Sequence, residues 1–163
     1  MTQMNYVKRI GLDTYRIQNR GGKGIKGMQT REEDVVTKLF LSSNHSYLLY
    51  FTDMGRVYRT KTYNIPEAGR TAKGTPVVNI IEKSPEEKIS EIIPVKEFSD
   101  NEYLVMVTKN GIIKKTPASE YESIRKSGKI AITLKEGDEL ISIFKTTGND
   151  NIFLATRNGM AIC

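Results

Sequence analysis

Apolar and aromatic residues fall in short runs along this chain, and three of the runs end in the same way. Tyr47 to Phe51, Tyr103 to Val107 and Ile152 to Ala155 lead into Thr52-Asp-Met-Gly55, Thr108-Lys-Asn-Gly111 and Thr156-Arg-Asn-Gly159. Thr2-Gln-Met-Asn5 is a fourth copy, with asparagine in the glycine place, where its tolerance of left-handed backbone serves. Successive copies are 50, 56 and 48 residues apart. A β-prone segment follows each later turn: Val57-Tyr58, Ile112-Ile113 and Met160-Ala161-Ile162. The pattern predicts strand, tight turn, strand, the last turn residue supplying the positive φ that a two-residue hairpin loop demands.

Beyond the turns the copies stay parallel. Val7-Lys8-Arg9, Val57-Tyr58-Arg59 and Ile113-Lys114-Lys115 each lead to a tyrosine (Tyr15, Tyr63, Tyr121), expected in blade cores or corners. A basic loop comes next, at 18–27, 67–74 and 123–129, and then an alternating segment, at 34–39, 88–93 and 139–144. A self-similar unit of about 50 residues holding roughly four short strands cannot bury both faces of its sheet alone, so it predicts an all-β, propeller-like array of four-stranded antiparallel blades. A helical solenoid is excluded by the missing 3.6-residue stripe and by Pro66, Pro76, Pro85, Pro94 and Pro117. The expected organisation is an incomplete blade over 1–45, blade-like repeats over 46–101 and 102–150, and the start of another over 151–163. The chain reads as a fragment of a longer array, a partial ring of about three blades, expected to self-associate or to hold its last hairpin loosely.

Charge sharpens this picture. The 25 Lys and Arg exceed the 19 Asp and Glu by six, and residues 1–31, with seven cations and Asp13, carry that whole excess. Residues 103–131 are basic and residues 82–102 acidic, which suggests a basic face or rim and an acidic remainder, the footprint expected of a nucleic-acid binder; an ordinary solvated surface is the alternative. Carboxylates at Glu32-Glu33-Asp34, Glu86-Glu87 and Glu136 to Glu139 recur at equivalent places, as expected of solubilising residues flanking strands. A single cysteine, Cys163, excludes an internal disulfide framework and a cysteine metal site, and fits a reducing compartment, the cytoplasm by default. No apolar run approaches the roughly 20 residues that span a bilayer, and the N-terminus lacks a signal-peptide pattern, so no membrane partner is expected.

Candidate chemistry concentrates in Gln18-Asn-Arg-Gly-Gly-Lys-Gly-Ile-Lys-Gly27. Its glycines let backbone approach a ligand, and Arg20, Lys23 and Lys26 supply charge suited to a string of phosphates; a flexible turn with solvated lysines is the alternative. Gly22, Gly24 and Gly27 match a dinucleotide fingerprint formally, but the preceding Thr14 to Arg20 is too polar for a buried strand. They also miss the phosphate-binding P-loop, since Met28-Gln29 stands where Lys-Ser or Lys-Thr is required. His45 is the one histidine, with no second imidazole for a metal or a proton relay. No catalytic residue and no metal site is expected.

Within that loop, Gln18-Asn19-Arg20-Gly21-Gly22-Lys23-Gly24 resembles the box Gln-Arg/Lys-Arg-Gly-Gly-Arg/Lys-Gly of the C-terminal DNA-wrapping domain of the bacterial DNA gyrase A subunit. Six of the seven places match, Asn19 replacing a cation. Phe51 to Tyr58, Ile65 to Arg70 and Lys73 to Asn79 look like blade sequences of the same domain, so the resemblance covers essentially the whole chain. The sister topoisomerase IV domain has related blades with a missing or degraded box.

The resemblance implies a β-pinwheel, in which neighbouring blades exchange a strand and duplex DNA wraps a basic rim in support of negative supercoiling. It implies box contacts at Gln18 to Gly24, and further contacts are expected of Lys8, Arg9, Lys26, Arg56, Arg59, Arg70, Lys73, Lys114, Lys115, Arg125, Lys126 and Lys129. It further implies that ATP, Mg and the cleavage chemistry of the ATP-dependent type II topoisomerase lie in other regions, leaving this piece without a cofactor. Its partners would be double-stranded DNA and, in the parent A2B2 enzyme, the remainder of the gyrase A subunit together with the B subunit, in the bacterial cytoplasm at the nucleoid. A topoisomerase IV C-terminal domain or a propeller-type protein-interaction module are the alternatives.

Overall fold

The computed structural model describes residues 1–14, 34–69 and 71–163. Among these the regular elements are strands and short 3-10 turns. The strands are β1 (Tyr6–Val7), β2 (Tyr47–Thr52), β3 (Arg56–Lys61), β4 (Thr75–Pro76), β5 (Ile89–Val95), β6 (Tyr103–Thr108), β7 (Ile113–Pro117), β8 (Lys129–Ile130), β9 (Leu140–Thr146), β10 (Leu154–Ala155) and β11 (Ala161–Ile162). All the strand pairs are antiparallel: β1 with β4, β10 with β11, β5-β2-β3-β8, and β7-β6-β9.

The order of the four-stranded sheet shows how repeats interlock. β8 follows β6 and β7 in the chain, yet pairs with β3 of the preceding hairpin, Val57 opposite Lys129; β4 pairs with β1 in the same way. Each donated segment also closes over the preceding turn. Ala131 and Ile132 N–H donate to Gly55 O at 2.8 and 3.2 Å, and Val77 N–H donates to Asn5 O at 2.9 Å. This is the strand exchange that the resemblance implies.

Strand β2 explains why neighbours are obligatory. Its residues from Leu48 to Thr52 are all buried, which a sheet with a wet face would not permit. Leu49 and Phe51 enter one core with Leu104, Met106, Tyr121, Ala131, Ile132 and Leu140, while Leu48 and Tyr50 enter a second with Val7, Tyr58, Ile65, Val77 and Ile89. Pro94 is accommodated because β5 is an edge strand, where a missing N–H costs no ladder bond.

The turns differ in type from the sequence expectation. In each, the last residue N–H bonds to the threonine carbonyl: Asn5 to Thr2 at 3.1 Å, and Gly55 to Thr52, Gly111 to Thr108 and Gly159 to Thr156 at 3.0 Å. Positive φ occurs at Asn5, Gly55, Gly111 and Gly159, and not at the residues before them. These are therefore three-residue loops, a turn followed by a left-handed bulge residue, in place of two-residue ones. The threonine is part of the device, since its Oγ1 accepts the N–H of Tyr6, Arg56, Ile112 and Met160 in the four copies, at 3.1 to 3.3 Å.

Two expectations need correction. Tyr63 is 54% exposed, and its apparent equivalence to Tyr121 fails. Ile65 and Tyr121, each thirteen residues after its turn threonine, are the matching core residues; Tyr15 holds that sequence position in the first copy but lies outside the described residues. The acids are not all solubilising either: Asp34, Glu87 and Asp138 are buried. Asp34 Oδ1 accepts the N–H of Met4, and Asp138 Oδ1 that of Asn110, each at 3.0 Å, pinning the same place in two turns. Glu87, one methylene longer, reaches instead to the Tyr58 hydroxyl at 3.2 Å.

Candidate nucleic-acid interface

The loops 67–74 and 123–129 contain one turn in common. In 67–74, Ala72 N–H bonds Gly69 O at 3.0 Å; in 123–129, Gly128 N–H bonds Arg125 O at 2.9 Å. Counted from the turn threonines Thr52 and Thr108, these turns occupy the same positions. The count also reveals a register that reading the loops separately misses: Arg20, Arg70 and Lys126 are each eighteen residues after their threonine, and Lys23, Lys73 and Lys129 each twenty-one. The signal that finds it is the hairpin turn used as origin, because loop lengths differ only beyond this point. Gln18, Asn19, Arg20, Gly21, Gly22, Lys23, Gly24 and Lys26, together with Arg70, lie outside the described residues.

Where the remaining basic residues point divides them into two sets. Those on the hairpins turn to the protein. Lys8 Nζ donates to the carbonyls of Gly69 and Ala72, each at 3.1 Å, and burial pushes its ammonium below lysine's usual range. Arg9 donates to Ile65 O at 3.2 Å and Asn44 Oδ1 at 3.1 Å, and lies 3.4 Å from the Glu67 carboxylate. Arg56 donates to Ser127 O at 2.6 Å and stands 3.7 Å from Glu87. Arg59 sits over the rings of Tyr47 and Phe98, 4.9 and 5.9 Å from their centroids, and Lys115 is 4.8 Å from that of Tyr103. Lys114 donates to Ala131 O at 2.7 Å, helping to hold the exchanged segment.

The loop residues form the second set. Lys73, Arg125 and Lys126 are exposed, and their side chains form no hydrogen bond or ion pair with the described residues. Lys129, although in register with Lys73, folds back to Glu120, donating to its carbonyl at 2.7 Å with the carboxylate at 3.4 Å. The strand cations are thus engaged with groups of the fold, Lys114 and Lys115 while still exposed, whereas Lys73, Arg125 and Lys126 face solvent without a partner among the described residues. Three donors without carboxylate partners on successive loops can meet phosphates, and among the described residues these loops present no array of side chains fixed for reading base edges.

Comparison with known proteins adds a relationship. The model of the family described as DNA gyrase C-terminal domain, beta-propeller, matches residues 1–43, 46–96 and 102–147. The DNA gyrase A subunit of Clostridium acetobutylicum is 52% identical over 162 residues, which cover 99% of this chain and 20% of that protein. The corresponding gyrase protein of Halalkalibacterium halodurans is 48% identical over 162 residues, with coverage of 99% and 19%. The chain thus spans about a fifth of the length of the curated relatives it matches. Among solved structures, the C-terminal domain of DNA topoisomerase IV is similar at TM-score 0.81 and 29% identity, over 99% of this chain and 49% of that one. A DNA gyrase A C-terminal domain is similar in fold at TM-score 0.74 and 24% identity, over 99% and 51%.

Proposed function

The chain belongs to the DNA gyrase C-terminal domain family, and from that premise we propose that it binds duplex DNA without sequence preference and bends it along the file of rim loops. The observation that carries the reading is the sorting of cations. Lys73, Arg125 and Lys126 stand open on the loops, while Lys8, Arg9, Arg56 and Lys114 are engaged within the fold. Arg20 and Lys23 extend the file into the first repeat by register. Contacts repeated at one place per repeat suit a curved polyanion, and bending needs backbone contacts more than base readout.

In the parent protein this piece would be an accessory to DNA gyrase, a topoisomerase of the bacterial cytoplasm acting on nucleoid DNA. Bending would present a crossed duplex to strand passage and so support negative supercoiling. Other regions of the gyrase A and B polypeptides would supply cleavage, ATP and Mg; the residues of this chain bind and orient DNA and make no covalent step.

The test is the salt dependence of affinity for a short duplex. If Arg20, Lys23, Lys73, Arg125 and Lys126 each neutralise a phosphate, log affinity falls against log salt with a slope of about −4 to −5, unchanged by base sequence. A slope near zero would exclude the reading in favour of a protein-interaction module, and a strong preference for one sequence would overturn its non-specific character.

A further inference from the structure

Arg56 is engaged at both ends of its guanidinium. One nitrogen donates to Ser127 O at 2.6 Å, and Nε stands 3.7 Å from Glu87 Oε1. Glu87 is only 3% exposed and also accepts the Tyr58 hydroxyl. Ser127 lies 71 residues further on, in the Arg125–Gly128 turn of the next repeat. Gly128 closes the same junction: its φ is +80°, and a Cβ built there would come within 2.7 Å of the Tyr58 ring. Lys8 does the equivalent one repeat earlier, holding the carbonyls at both ends of the Gly69–Ala72 turn from 61 and 64 residues away.

We infer that Arg56 is a positioning residue. Rooted on Glu87, it latches the rim turn of the following repeat so that Arg125 and Lys126 are presented outward, and it is not itself a phosphate ligand. A guanidinium beside a buried carboxylate has little charge to offer DNA. An exposed four-residue turn with one internal hydrogen bond has conformational freedom that must be lost before its cations act together, and the latch removes that freedom before any ligand arrives. In the first two repeats, then, one basic side chain organises the rim turn that follows it in space, Lys8 the Gly69–Ala72 turn and Arg56 the Arg125–Gly128 turn. The DNA part of this inference rests on the proposed function; the latch does not.

Two measurements test it on Arg56→Ala, and on Arg56→Met combined with Glu87→Gln, which keeps the Tyr58 hydrogen bond and leaves no unpaired carboxylate should the first variant fail to fold. Without DNA, amide exchange at Gly128 is expected to accelerate by about tenfold or more. With DNA at fixed salt, loss of Arg56 is expected to weaken binding by about three- to tenfold in the unaltered chain, and to change nothing in an Arg125→Ala/Lys126→Ala background. Unchanged exchange at Gly128 would overturn the latch. Equal weakening in both backgrounds would overturn it too, identifying Arg56 as an independent phosphate contact. Should the unaltered chain show no salt-dependent affinity, the DNA reading falls and the exchange measurement decides the latch by itself.

Discussion

At the residue scale, the buried carboxylates show how similar side chains part company once packed. Burial alone would raise the Asp138 carboxyl, but the neighbouring Thr108 hydroxyl, hydrogen bonds from Asn110 and Glu139 N–H, and Lys109 nearby outweigh it and hold the carboxyl below its usual range. A depressed folded-state value means that Asp138 contributes its full stability above its ordinary 3.8 and loses it as pH falls through the lower folded value. Asp138→Asn is therefore expected to flatten the acid limb of stability below about pH 4, measured as urea midpoints against pH. An unchanged limb would show that the turn gains nothing from the charge. Sequence reading placed these acids at equivalent points and misjudged their exposure, because runs such as Glu136 to Glu139 hold the buried residue among solvated ones and composition does not say which is which.

At the scale of elements, the positions of the hairpins were legible, though not the three-residue length of their loops. Apolar runs, threonine and positive-φ residue lie within a few positions of one another, so their geometry is local. What differs between copies is what lands on the turn. Gly55 has φ of +78°, and a Cβ there would lie 2.4 Å from the Ile132 carbonyl; Gly111 has φ of +85° with nothing within 4 Å. Gly111→Ala is expected to cost about 1–2 kcal/mol for left-handed backbone alone, whereas Gly55→Ala must also displace the exchanged segment and should cost roughly twice as much. Urea unfolding of the two variants measures the difference. Equal costs would contradict the seating of Ala131 and Ile132 on the preceding turn.

At the scale of the whole molecule, curvature decides what each contact is worth. Bending 20–30 base pairs by 40–90° costs roughly 1–6 kcal/mol, so under the proposed function DNA would follow the rim only while further contacts exceed that elastic cost. Arg20 and Lys23 share the register of Arg70/Lys73 and Lys126/Lys129, with more glycines around them to bring backbone N–H groups to phosphate. Replacing Arg20 and Lys23 by alanine should leave the fold intact, lower affinity modestly and abolish bending, read as fluorescence transfer between the ends of a short duplex. Unchanged end-to-end approach would place the bending contacts in the other loops.

The sequence by itself determined the repeat, its all-β character, the positions of the hairpins, the candidate loops and the family resemblance, because each rests on residues close together in the chain. Only the tertiary structure decided which cations remain open. Lys8 and Arg56 look no different from Lys73 and Lys126 in sequence, and their partners are carbonyls 61 to 71 residues away. It likewise decided that Ile65, and not Tyr63, fills the core position of the second repeat. A side chain's partner is set by which backbone groups the exchanged strands bring beside it, and strand exchange pairs segments whose separation no local pattern encodes.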